Sequence, residues 1–315
     1  MKESETKLST HSLRCCDLWA SHSWYVPGVK GMFILFAWIM IGNLLGSIVN
    51  LVFKNFVSED GMITYVMTLT EIVKYLPVMI YVFCKSQRNR LTETGYKVNS
   101  SHFSPFQGWQ IAIVSVALAL AYFYSANLLN YWNYKFTMLI PGMQSFANFI
   151  TEAFNEIGTG PFWSSLLNTA ILAAIFEEWL YRGIVLRGLL TKMSPAWAIV
   201  ISALFFAFVH MNPWQGLNCF LLGLLMGYVY YKTGSLLLTM LMHFVNNGVE
   251  TIIELFPALN ESDYWGDIIP LSPYTVVYIL AVVVLVVCLM AFRRIPLEQK
   301  RGNIDEVAPR NQTEP

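Results

Sequence analysis

Eight apolar runs dominate the chain, at residues 31–53, 62–84, 109–131, 161–190, 196–211, 215–231, 234–256 and 272–292. Most come close to the roughly 20 residues that a helix needs to cross a bilayer. The fifth and sixth are shorter, which local thinning of the bilayer or burial among the other helices accommodates. The first run begins only after residue 30 and is longer than the apolar core of a signal peptide, so it reads as a retained span. The pattern predicts an all-α, polytopic membrane protein with about eight transmembrane helices. A polar segment at 1–30 precedes a membrane domain at 31–295, and a tail at 296–315 is expected to be disordered.

The connections between runs carry the polar residues, and their charges alternate. The N-terminal segment, 85–108, 191–195, the turn at Lys232 and the tail from 293 hold most of the Lys and Arg, including Lys85, Arg88, Arg90, Arg293 and Arg294. The other connections hold only Lys54 and Lys135, beside Glu59, Asp60, Glu152, Glu156, Glu261, Asp263 and Asp267. By the positive-inside rule this predicts both termini in the cytoplasm. Trp109, Trp132, Trp163, Trp197 and Trp214 fall at run ends, as an interfacial aromatic belt requires. The long connection 132–160 contains Pro141, Gly142 and an amphipathic part around 146–150, and is expected to lie along the outer interface.

Composition sharpens this. Only 13% of residues are charged, against about 25% in an ordinary soluble protein. The zero net charge gives no reason to expect nucleic acid as a partner. The five cysteines, Cys15, Cys16, Cys84, Cys219 and Cys288, have neither zinc-knuckle nor disulfide-framework spacing and read as small hydrophobes.

Three runs nevertheless carry groups that lipid penalises, by roughly 2.5–3.5 kcal/mol for each charge at mid-bilayer. The fourth has Glu177, Glu178 and Arg182, the fifth ends in Phe206-x-x-x-His210, and the seventh contains His243-x-x-x-Asn247. At about 1.5 Å of rise per residue, Glu177, His210 and Asn247 all lie roughly 20 Å from the cytoplasmic end of their runs, with His243 one turn shallower. Groups from three helices are therefore expected at one depth, around a polar intramembrane site.

Spacing separates their roles. Glu178 and Arg182 are four apart with the acid first, the favoured order for an ion pair within a helix. Glu177 is rotated about 100° from Glu178 and has no such partner, which suits a general base. His243 and Asn247 share a helix face, and both can donate to a developing oxyanion. His210 can help Glu177 hold and polarise a water. Neither Ser nor Cys stands where a nucleophile is needed; Cys219 comes nearest but has no base in its own run. Elsewhere, Glu71 and Lys74 read as a local ion pair, Gly223-x-x-x-Gly227 as a close-packing stripe, and Glu250 and Glu254 as acids near the outer end of the seventh run.

In order and context the three motifs resemble those of the CPBP family (CAAX proteases and bacteriocin-processing enzymes), which includes the type II CAAX prenyl endopeptidases. The string Glu177-Glu178-x-x-Tyr181-Arg182-Gly183 is similar to the family's bacterial form, which implies a bacterial cell membrane. The resemblance implies an intramembrane endopeptidase with a cytoplasm-facing entrance, acting on a peptide or membrane-anchored protein. Glu177 and His210 would activate water, His243 and Asn247 would stabilise the tetrahedral intermediate, and Glu178 and Arg182 would support them. No cofactor is required on this mechanism. If the family's metalloprotease label applies, zinc would take Glu177, His210 and His243. A catalytically silent scaffold or self-immunity protein, and a carrier using Glu177, His210 and Glu71 as a proton path, are the rival readings. Substrate identity and oligomeric state leave no mark in the sequence.

Overall fold

The computed structural model describes residues 25–53, 56, 65–90, 105–149, 162–256 and 269–296. The expectations for most of the 1–30 segment, for the far part of the 132–160 connection and for the tail lie outside the described residues. Among those described, regular structure is helical throughout.

Eight longer helices follow one another: α1 Val29–Phe53, α2 Met67–Arg90, α3 Gly108–Met138, α4 over 162–190, α5 Pro195–Val209, α6 Pro213–Thr233, α7 Leu236–Ile253 and α8 Leu271–Arg293. Helix α4 is continuous but not uniform. Phe162–Ser165, Ala173–Glu178 and Arg187–Leu190 are α-helical, while Leu166–Leu172 and Trp179–Leu186 are π-helical, with helical dihedrals at every junction. A short helical stretch at 143–149 falls within the expected amphipathic connection.

Local chemistry explains the boundaries. Pro195 and Pro213 open α5 and α6, where a missing N–H costs nothing. The Asn212 side chain accepts from the Gln215 N–H, and the Ser235 side chain from the Leu238 N–H, capping α6 and α7. Gly234 closes α6 at φ +62°, a left-handed cap that lets α7 start at once. The sequence places the third span at 109–131, yet α3 runs on to Met138. Its polar and aromatic last turns read as an interfacial connection, but backbone hydrogen bonding continues through them.

Among the described residues, five helices are long and apolar enough to cross a membrane: Val29–Phe53, Met67–Ser86, Gly108–Met138, Leu236–Ile253 and Leu271–Arg293. This is fewer than the eight spans expected. Helix α5 is apolar but has 15 residues, about 22 Å of rise against a hydrocarbon core of about 30 Å. Helix α6 is diluted by Gln215, Gly216 and Asn218 in its first turns, and α4 is divided by its π-helical turns. The architecture is that of an all-α, multi-spanning membrane protein.

Helix α4 lies at the centre. All eight residues of Trp179–Leu186 are buried, whereas α1, α2 and α8 turn Phe33, Leu51, Ile80, Phe83, Ile279 and Val287 outward. An apolar exterior around a core that tolerates polar groups is the arrangement a bilayer selects. Close packing depends on small residues. Gly223 and Gly227 of α6 lie against Ala203 and Ile199 of α5, the role expected for that stripe. Gly42 of α1 lies against the Lys74 carbonyl of α2, where a Cβ would collide with backbone.

Helix ends are tied together. The Tyr25 N–H donates to Ser86 Oγ at 3.3 Å, and Arg187 Nη2 donates to the Tyr25 carbonyl at 3.3 Å. These bonds join the start of α1 to the ends of α2 and α4. Lys232 Nζ donates to the Ile295 carbonyl at 2.5 Å and the Arg293 carbonyl at 3.3 Å, joining the ends of α6 and α8. At the other ends of the helices, Asn133 donates to the Trp214 carbonyl at 2.5 Å.

Candidate active site

The tandem carboxylates leave α4 in different directions. Glu178 is fully buried and accepts at Oε1 from Arg182 Nη1 at 2.5 Å and from His243 Nδ1 of α7 at 2.9 Å. Arg182 also donates from Nη2 to the Gly223 carbonyl at 3.3 Å. Its guanidinium lies over the Phe206 ring, 4.7 Å from the centroid. The expected Glu178–Arg182 pair is present, and it also grips α5, α6 and α7.

Glu177 faces the space between helices. Its Oε2 lies 3.9 Å from Nε2 of His210 and 3.9 Å from Nε2 of His243. These distances are too long for direct hydrogen bonds. His210 Nδ1 lies 2.7 Å from the Phe206 carbonyl; a carbonyl only accepts, so Nδ1 carries the proton and Nε2 is the acceptor in the neutral ring. His243 Nδ1 likewise donates to Glu178, which turns its Nε2 towards Glu177. Both imidazoles are thus held in a fixed tautomer by their far nitrogen.

Local backbone supports this. His210 caps the end of α5, and Met211 directly after it has φ +49°. That left-handed conformation costs a non-glycine residue about 1–2 kcal/mol and makes room for Asn212 and Pro213 to start α6. Phe206, one turn before His210, meets both imidazoles edge-on, with centroids 4.7 Å and 6.1 Å away.

The fold thus brings Glu177, Glu178, Arg182, His210 and His243 together. Asn247 is turned elsewhere: its Nδ2 donates to the Thr169 carbonyl at 2.8 Å, and its Oδ1 accepts from Asn246 at 3.0 Å. Thr169 lies in the first π-helical stretch of α4. The Glu71–Lys74 pair is formed at 3.1 Å, as expected of a local contact. One neighbour was not read from the sequence. Tyr75 of α2 is buried, its ring stacked on Phe176 with centroids 5.0 Å apart, and its hydroxyl donates to Glu177 Oε1 at 3.2 Å. The only hint was that it follows the intramembrane Glu71 and Lys74.

A carboxylate and two imidazoles are donors that zinc accepts. Their 3.9 Å separations exceed the edge of about 3.4 Å for a tetrahedron with bonds near 2.1 Å. Among the described residues no group of three His, Cys, Asp or Glu has metal-centre spacing. Closing around an ion would require these side chains to approach by about 0.5 Å.

A buried Glu178–His243 pair beside the partly buried Glu177 and His210, within a multi-spanning helical bundle, defines an intramembrane hydrolase-like protein. The comparisons agree: residues 159–249 match the family model described as type II CAAX prenyl endopeptidase Rce1-like. That segment runs from α4 into α7 and holds every motif residue, and over it the chain is similar to the CAAX prenyl endopeptidase family. Comparisons with curated proteins and with solved structures found no match.

Proposed function

We propose that the protein is an intramembrane endopeptidase that hydrolyses a peptide bond of a membrane-associated, prenylated or leader-type peptide with a water activated by Glu177 and His210. The carrying observation is the convergence of Glu177 Oε2 with two imidazole Nε2 atoms at 3.9 Å. A water between them can donate one hydrogen to Oε2 and the other to Nε2 of His210. As its oxygen attacks the scissile carbonyl, Glu177 takes a proton and then delivers it to the leaving amine nitrogen. No acyl-enzyme forms.

The developing oxyanion needs donors. His243 already donates through Nδ1 to Glu178, so donating through Nε2 as well requires the imidazolium form. That form makes the cluster neutral: two carboxylates against Arg182 and His243. Asn247 becomes the second donor by exchanging the Thr169 carbonyl for the oxyanion. In the fuller topology we propose, α1 to α8 all cross the bilayer, α4 to α6 with help from their neighbours. Both termini and the entrance then face the cytoplasm, in agreement with the charge alternation.

N- and C-terminal peptidomics of membranes carrying wild-type or Glu177→Gln protein at equal abundance tests the reading. New termini specific to the wild type are expected, with the variant reduced by at least about 100-fold. Identical peptidomes would leave a scaffold, for which Asn247 acting as a helix–helix tie is the supporting observation. Purified protein treated with a chelator should keep its activity; loss restored by added zinc would make Glu177, His210 and His243 ligands instead.

A further inference from the structure

The two oxygens of Glu177 are not equivalent. Oε2 faces the imidazoles, whereas Oε1 accepts from the Tyr75 hydroxyl at 3.2 Å. The phenol supplies the only proton in that contact, because an ionised carboxylate is acceptor-only. A glutamate side chain otherwise turns about several single bonds, and a base whose reactive oxygen wanders loses the benefit of orientation.

Tyr75 is itself held on three sides. Its ring stacks on Phe176 with planes 18° apart, so neighbouring residues of α4 receive the ring and the hydroxyl of one side chain. Lys74 Nζ, paired with Glu71, lies 5.2 Å from the ring centroid. The backbone one residue earlier is clamped by α1, since Gly42 rests on the Lys74 carbonyl. The hairpin of α1 and α2 therefore delivers a fixed hydrogen-bond donor to a carboxylate on the central helix.

We propose that Tyr75 is a positioning residue for Glu177: its hydroxyl pins Oε1, so that Oε2 alone is aimed at the water and at His210. This rests on Glu177 being the base of the proposed peptidase. It lies outside the three motifs and outside the matched segment 159–249.

Tyr75→Phe tests it, because the variant keeps the ring stack and removes only the hydroxyl. In infrared difference spectra of the purified protein, the carboxylate band that disappears in Glu177→Gln identifies Glu177. That band should shift in Tyr75→Phe while the thermal unfolding midpoint stays put. With a peptide found by the peptidomics, kcat should fall about tenfold and KM stay within about twofold. An unshifted band, or an unchanged kcat beside a shifted band, overturns the proposal. If wild-type protein cleaves nothing, the peptidase reading falls, and the band still decides whether Tyr75 holds Glu177.

Discussion

Two adjacent glutamates in a membrane protein look redundant until their partners are traced. Glu178 is committed to Arg182 and His243, and Glu177 is left facing Tyr75 and the two imidazole Nε2 atoms. Glu178→Gln should therefore injure the protein twice. It leaves the Arg182 charge buried without its counterion, which costs about 3–5 kcal/mol and is readable as a lowered unfolding midpoint in detergent. It also loosens His243, so turnover should fall even at temperatures where the variant stays folded. The Glu178–Arg182 bond was legible in the sequence because it needs only helical spacing. The His243–Glu178 and Tyr75–Glu177 bonds join residues 65 and 102 positions apart, and local periodicity says nothing about such pairs. Counting rise per residue put Glu177, His210 and Asn247 at one depth and His243 one turn shallower, but depth does not fix azimuth. Asn247 accordingly turns to Thr169 rather than to Glu177.

Among the elements, the α1–α2 hairpin owes its fit to absent side chains. Gly42→Ala would push a methyl group into the Lys74 carbonyl. Overpacking of this kind costs about 1–3 kcal/mol, measurable by thermal unfolding, and because α2 carries Tyr75 the Glu177 carboxylate band should move with it. The helices themselves were visible as apolar runs, since α1 and α4 to α8 begin and end within about three residues of the expected runs, while α2 is displaced towards its C-terminal end, Met67–Arg90 against 62–84. Two features were hidden. The last turns of α3, to Met138, are too polar and aromatic to be told from an interfacial loop. The π-helical stretches of α4 are mostly apolar, as is the α-helical stretch Ala173–Glu178 between them, so composition does not tell one winding from the other.

Across the molecule, the contacts between helix ends bear on orientation. Tyr25, Ser86 and Arg187 meet at one end, and Lys232 bonds to the carbonyls of Arg293 and Ile295. All of these lie in or beside the segments that hold most Lys and Arg. With the proposed orientation, alkaline phosphatase fused after Asp263 should be active, and fused after Arg294 inactive; the reverse pattern would invert the protein in the membrane.

The π-helical stretch Trp179–Leu186 begins directly after Glu178 and contains Arg182. A stretch of this kind holds one residue more than ordinary winding would need. Excising the one surplus residue there would let the helix relax into ordinary winding while the turns beyond the cut keep nearly their present facing. The same excision within the α-helical stretch Ala173–Glu178 has no surplus to draw on and would turn everything beyond it by about 100°, presenting the wrong flank to α5 and α6. The widened turns therefore act as slack: a lost codon is taken up where they lie, and would rephase the helix if it fell in the tighter stretch before them.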